Sequence, residues 1–178
     1  MDLRRKKVVA TLIFPIKEGK VLLAKKTRKI GIGKWNGWGG SQEEGETVRE
    51  AATRELLQES GLSAQKEDLE YSGKVTFHNQ KADGRKFDVE VHMFLLQKWS
   101  GEIKPNPEMI EPTFWSINQL PFYEMMASDK DWIPLILKGE WIEGDTWQKW
   151  INEPDGTVRV VLTKPSEIRI VEKLGDVD

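Results

Sequence analysis

The chain of 178 residues has no cysteine and only two histidines, His78 and His92. Disulfide staples, thiolate nucleophiles and zinc–thiolate centres are excluded together. No Ser-His-Asp arrangement is apparent, and both histidines fall in strand patterns where packing or surface roles suffice. An excess of charge is missing too. With 27 Lys+Arg against 29 Asp+Glu the net charge is −2, so there is no global basic field to hold a nucleic-acid polymer, and an anionic partner must be gripped locally. No stretch approaches the ~18 apolar residues of a membrane span. The run Arg4-Arg5-Lys6-Lys7 precedes only a short apolar segment, Val8 to Ile16, broken by Thr11 and Pro15. It reads as the start of a strand rather than a signal peptide. These absences set the expectation of a cytoplasmic monomer with a small-molecule partner and no membrane. At 38% apolar and 31% charged residues the composition supports a buried core, and one domain is expected over residues 1–178.

The patterning predicts a mixed α+β fold: a partly parallel or mixed sheet with helices outside it. Residues 8–14 and 21–24 read as a hairpin around Lys17-Glu18-Gly19-Lys20, followed by a glycine-dense loop, 31–40, that suits no regular element. Thr47-Val48-Arg49-Glu50 is a capping box, so a helix should start there, run to about Ser60 and stop at Gly61. Residues 74–79 and 87–99 flank the turn signal Asp83-Gly84 and predict a second hairpin. Helical spacing returns over 118–126 and 129–137, with Pro134 inside the latter and Gly139 ending it. The tail predicts a hairpin over about 146–163 and one further strand at 167–171.

On the helix from Thr47, Glu55 and Glu59 stand i,i+4 and Gln58 stands i,i+3 from Glu55, so three oxygen-bearing side chains share a face. Like charges at that spacing repel by about 0.2–0.5 kcal/mol, which calls for a counter-charge. A hard divalent cation with oxygen ligands supplies one. The glycine loop just upstream can offer backbone carbonyls and amides at close approach, because residues without Cβ let the backbone come near.

Gly40, Glu46, Arg54-Glu55-Leu56, Glu59 and Gly61-Leu62 match the Nudix box, G-x5-E-x7-R-E-U-x-E-E-x-G-U, over residues 40–62 at every defined position but Gln58. The chain thus resembles the Nudix hydrolases. The resemblance implies an α/β/α sandwich and Mg²⁺-dependent hydrolysis of a nucleoside diphosphate derivative, with Mn²⁺ as a possible substitute. It implies metal-holding and catalytic roles for Glu55 and Glu59, with the Gly40 carbonyl, Gln58 and a loop carboxylate, Glu108 or Glu111, as further ligands. Glu46 would brace Arg54. Beyond the box, Lys34 to Gly40, Val91 to Phe94, Gln119 to Phe122 and Asp129 to Leu135 resemble the MutT-homologue subgroup, diphosphatases of oxidised purine nucleoside triphosphates such as 8-oxo-dGTP. Thr11, Lys26, Asn36, Phe77, Asp129 and Trp132 are the implied substrate contacts. Met126 stands where the subgroup has a Trp and Ser128 where it has an Asp. Two other readings carry different expectations: a Nudix enzyme acting on another nucleoside diphosphate derivative, and a weakened nucleotide-binding regulatory module motivated by Gln58.

Overall fold

The computed structural model describes residues 6–104, 106–173 and 177–178; Arg4 and Arg5 of the basic run lie outside the described residues. The elements are β1 (Lys6–Lys17), β2 (Lys20–Lys26), β3 (Trp35–Asn36), α1 (Val48–Ser60), β4 (Leu69–Gln80), β5 (Lys86–Leu96), β6 (Met109–Ser116), α2 (Asp129–Leu137), β7 (Trp141–Asn152) and β8 (Val158–Val171), with short 3₁₀ turns at Lys66–Asp68 and Phe122–Glu124. The strands form one mixed sheet in the order β3-β2-β1-β5-β4-β7-β8, and β6 pairs with β2 off that path. β1 lies parallel to β5, and β4 parallel to β7.

Alternation along the central strands sends successive side chains to opposite faces. Ile13 and Phe94 pack with Ala52 and Leu56 of α1, while Phe14 and Met93 pack with Trp132, Ile133 and Ile136 of α2. One helix therefore covers each face, which makes the expected α/β/α sandwich. Both halves of the capping box on α1 are formed, with Thr47 accepting from the Glu50 amide and Glu50 from the Thr47 amide. Gly61 closes the helix at φ 80°.

Six details differ from the sequence reading. The segment 118–126 is not a helix: Pro121 caps a single 3₁₀ turn. The glycine loop holds the two-residue strand β3, whose partner is Ala24-Lys25 of β2. Residues 167–171 continue β8 rather than forming a separate strand, and β7 begins at Trp141, so the hairpin predicted from about 146 is longer at both ends. β5 stops at Leu96 rather than Trp99, and β6 escaped the sequence reading altogether.

Candidate active site

The glycine loop is fixed from beneath. Trp38 is 1% exposed, its indole donates to the Leu22 carbonyl at 3.0 Å, and its backbone exchanges hydrogen bonds with Ile13. Trp35 is also buried, edge-on to Trp115 with Lys25 over its ring. Both tryptophans hold the loop and neither lines the cleft it borders. The Gly40 carbonyl accepts the Thr11 amide at 2.9 Å, laying Gly39-Gly40 along β1. A Cβ on Gly40 would stand 2.6 Å from the Glu55 carboxyl carbon, so glycine is what lets that carboxylate lie against the loop. The Gly39 amide donates to Glu59 Oε2 at 3.0 Å. The helix face and the loop are thereby joined through the two carboxylates singled out by their spacing.

Arg54 binds this corner together. Its guanidinium donates to both Glu46 oxygens, to Glu55 Oε1 at 2.7 Å, to Gln58 Oε1 at 3.3 Å and to the Ser41 carbonyl at 3.1 Å. The Arg54 hydrogen bond, followed by the Glu43 amide, holds the Glu46 carboxyl below the usual carboxylate range. Burial pushes the Glu59 carboxyl up to about 7; the Glu55 and Glu108 charges add to the rise, while the Gly39 amide and Lys26 oppose it. Burial lowers the Lys26 ammonium, against the pull of Glu59 and Asp129. Lys26 thus stands electrostatically between the helix carboxylates and Asp129.

The two loop carboxylates separate clearly. Glu108 is the one whose charge reaches Glu59. It is ion-paired with Arg28, and its segment is anchored by the Thr27 amide and by Asn106, which donates to the Gln58 carbonyl at 2.8 Å. Glu111 instead bulges out of β6 at φ 54° and pairs with Lys25 at 3.0 Å. Among the described residues no set of three or more His, Asp or Glu side chains converges tightly enough to enclose a metal by itself. Two neighbouring carboxylates with a carbonyl and an amide oxygen nearby nevertheless suit Mg²⁺, which keeps several waters and completes its shell with substrate phosphates.

From Gly39 and Gly40 a cleft of about 690 Å³ runs across the α2-side face of the sheet. Thr11, Lys26, Asn36, Phe77, Met126, Asp129 and Trp132 all line it, so seven residues from six separate segments are brought together there. Met126 forms a wall, its sulfur 3.0 Å from where a Cβ on Gly31 would sit. Asp129 is 3% exposed at the start of α2; burial pushes its carboxyl up to about 7, against the Met126 amide, which donates to it at 3.2 Å. Ser128 is the exception. It is fully buried, its hydroxyl meets no partner, and it is not among the residues that line the cleft. The turn of chain before α2 points it inward, where the neighbouring Asp129 takes the cleft-facing place.

Sequence reasoning missed Asn79, Phe87, Gln148 and Trp150, which line the outer part of the cleft from β4, β5 and β7. A signal was present. Ile142, Gly144, Thr146 and Gln148 alternate as the buried positions of β7, and an alternation that places polar side chains on the inward face marks a site rather than a core.

A NUDIX domain model matches residues 5–136. The chain is 40% identical over 128 residues to the oxidized purine nucleoside triphosphate hydrolase of Danio rerio, covering 72% of this chain and 78% of that protein. It is 37% identical to the Mus musculus protein of the same name, at the same coverage. In fold it resembles the crystal structure of a MutT protein from Bacillus halodurans, with a TM-score of 0.69 and 22% identity over 88% of this chain and 97% of that one.

Proposed function

Since the chain belongs to the NUDIX family, we propose that it hydrolyses oxidised purine nucleoside triphosphates, 8-oxo-dGTP among them, with Mg²⁺ as its cofactor. Water adds to phosphorus, the bond between the α and β phosphates breaks, and the products are a nucleoside monophosphate and pyrophosphate. The observation that carries this reading is one cleft lined together by Gly39-Gly40, Asn36, Asp129 and Lys26, with Glu55 and Glu59 against the two glycines and Lys26 within electrostatic reach of both Glu59 and Asp129. A nucleotide laid along it puts its phosphates by the carboxylates and its base by the polar pair.

Glu55, Glu59, the Gly40 carbonyl, Gln58 and Glu108 are the groups that would hold the cation, which when bound neutralises charge developing on the phosphates and acidifies water. The chain does the positioning. Arg54, braced by Glu46, fixes the rotamer of Glu55; Glu55 or Glu59 orients the attacking water and accepts its proton. Lys26 offers a cation to the phosphates. Asn36, Asp129 and Phe77 hold the base, by hydrogen bonds from the first two and ring contact with the last.

A panel of 8-oxo-dGTP, dGTP, dATP, dCTP and a nucleotide sugar with Mg²⁺, scored for monophosphate release, tests the reading. The highest kcat/KM is expected for 8-oxo-dGTP, and Glu59→Gln should lower it at least tenfold, about 1.4 kcal/mol of barrier, with the protein still folded and Tm not lowered. Preference for the nucleotide sugar would replace the substrate class, and the absence of any turnover would leave a nucleotide-binding module.

A further inference from the structure

The outer part of the cleft holds a small polar relay whose direction the structure sets. Trp150 Nε1 donates to Asn79 Oδ1 at 3.0 Å, and an indole N–H can only donate. Asn79 therefore presents its oxygen to that corner, and its amide nitrogen donates instead to the Phe77 carbonyl at 2.9 Å. Gln148 meets the same Asn79 oxygen at 2.8 Å and so must offer its Nε2. Its Oε1 is left as an acceptor of fixed orientation.

That acceptor has no hydrogen-bond partner among the described residues, although Gln148 is only 8% exposed. It is not sealed in protein in the way Ser128 Oγ and Trp132 Nε1 are, and the side chain lines the cleft. An acceptor held in a fixed orientation and open to the cleft is available to a donor group of a ligand bound there. The sheet places it relative to the base. Phe77 shares a row with Val8 and Val89, and the next row outward is Phe87, Asn79 and Gln148, about 7 Å further along the strands. The α2 end of the same face carries Asp129.

We propose that Gln148 is a specificity-determining residue whose Oε1 accepts a hydrogen bond from an N–H on the imidazole edge of the base, opposite the edge held by Asn36 and Asp129. The assignment rests on the purine triphosphate reading above and gives it a physical cause. An 8-oxo purine carries hydrogen on N7, where an unmodified purine carries a lone pair. Against a fixed acceptor, the first makes a hydrogen bond and the second a repulsive contact.

The test compares kcat/KM for 8-oxo-dGTP, dGTP and 7-deaza-dGTP, whose C7–H neither donates strongly nor repels, in the wild type and in Gln148→Leu. The wild type should turn over 7-deaza-dGTP at least about threefold better than dGTP, and the variant should narrow that ratio to near one. The 8-oxo-dGTP to dGTP ratio should fall about tenfold or more in the variant, the size expected for loss of a paired polar group from a selective site. Equal proportional losses on all three substrates would overturn the assignment and make Gln148 a packing residue. The wild-type comparison of 7-deaza-dGTP with dGTP needs no variant, so an unfolded Gln148→Leu protein still leaves a deciding result: no advantage for the deaza base overturns the proposal. Turnover of 8-oxo-dGTP with an unchanged ratio sinks Gln148 alone, whereas a wild type inert toward all three purines sinks the substrate reading with it.

Discussion

At the scale of single residues, Asp129 shows how a pocket wall is coupled to stability. Its carboxyl has an ordinary value of 3.8 and is pushed up to about 7 by burial. Between those values the folded chain binds a proton that the unfolded chain has released, so stability falls as pH rises from about 4 to about 7 and stays reduced above that. Asp129→Asn keeps the shape and does not titrate. Relative to the wild type it should gain roughly 2–4 kcal/mol between pH 5 and pH 8, on the scale of 1.36 kcal/mol per pKa unit. Thermal melts of both proteins across that range check it; a Tm difference independent of pH would show that Asp129 is already ionised in the fold. The sequence identified Asp129 through its place ahead of Trp132 and Pro134, but not its burial. That depends on packing against the sheet, which brings Phe77 of β4 and Lys26 of β2 to the same cleft from distant parts of the chain. Ser128, one residue earlier, was equally legible as a candidate and is turned into the interior.

At the scale of elements, legibility follows how local the determining interactions are. α1 was readable to within a residue because its cap, its Glu55-Gln58-Glu59 face and its Gly61 stop all act within four residues. β6 was unreadable because it is stabilised almost entirely by pairing with β2 and carries Pro112 and exposed side chains along its middle, a pattern that demotes a strand when read in isolation. Glu108, the residue just before it, nevertheless acts electrostatically on Glu59. The α1 face itself supports a direct prediction. Gln58 is exposed and only loosely engaged by Arg54, at 3.3 Å, so Gln58→Glu adds a hard anionic oxygen beside Glu55 without disturbing packing. The Mg²⁺ concentration for half-maximal activity should fall at least about threefold, since affinity in such sites rises with ligand charge. Calorimetric titration with Mg²⁺ in the absence of nucleotide should shift the same way. An unchanged or higher requirement would place position 58 outside the cation's reach.

At the scale of the molecule, the mixed sheet was foreseeable and its strand order was not. Parallel pairing of β1 with β5 and of β4 with β7 joins segments separated by long stretches of chain, and no local pattern records that choice. Arg49 shows what secures such long-range assembly. From the first turn of α1 its guanidinium donates to the carbonyls of Lys66 and Leu69 and to that of Val177, and it lies over the Phe94 ring. The Val48 amide beside it donates to the Asp178 carbonyl at 2.9 Å. One side chain thereby ties α1 to the start of β4, to β5 and to Val177. A fork of five N–H donors can serve three carbonyls at once, which a single ammonium on a flexible stem cannot do in the same geometry. Arg49→Ala leaves those carbonyls without their charged donor and should cost about 2–4 kcal/mol, a Tm drop of roughly 4–16 °C for a chain of this size. Arg49→Lys should recover less than half of the loss. Neither change touches the cleft, so kcat/KM at a temperature well below both transitions should stay within about twofold of wild type. Loss of activity at full stability would instead make Arg49 part of the site, reaching it through the orientation of α1.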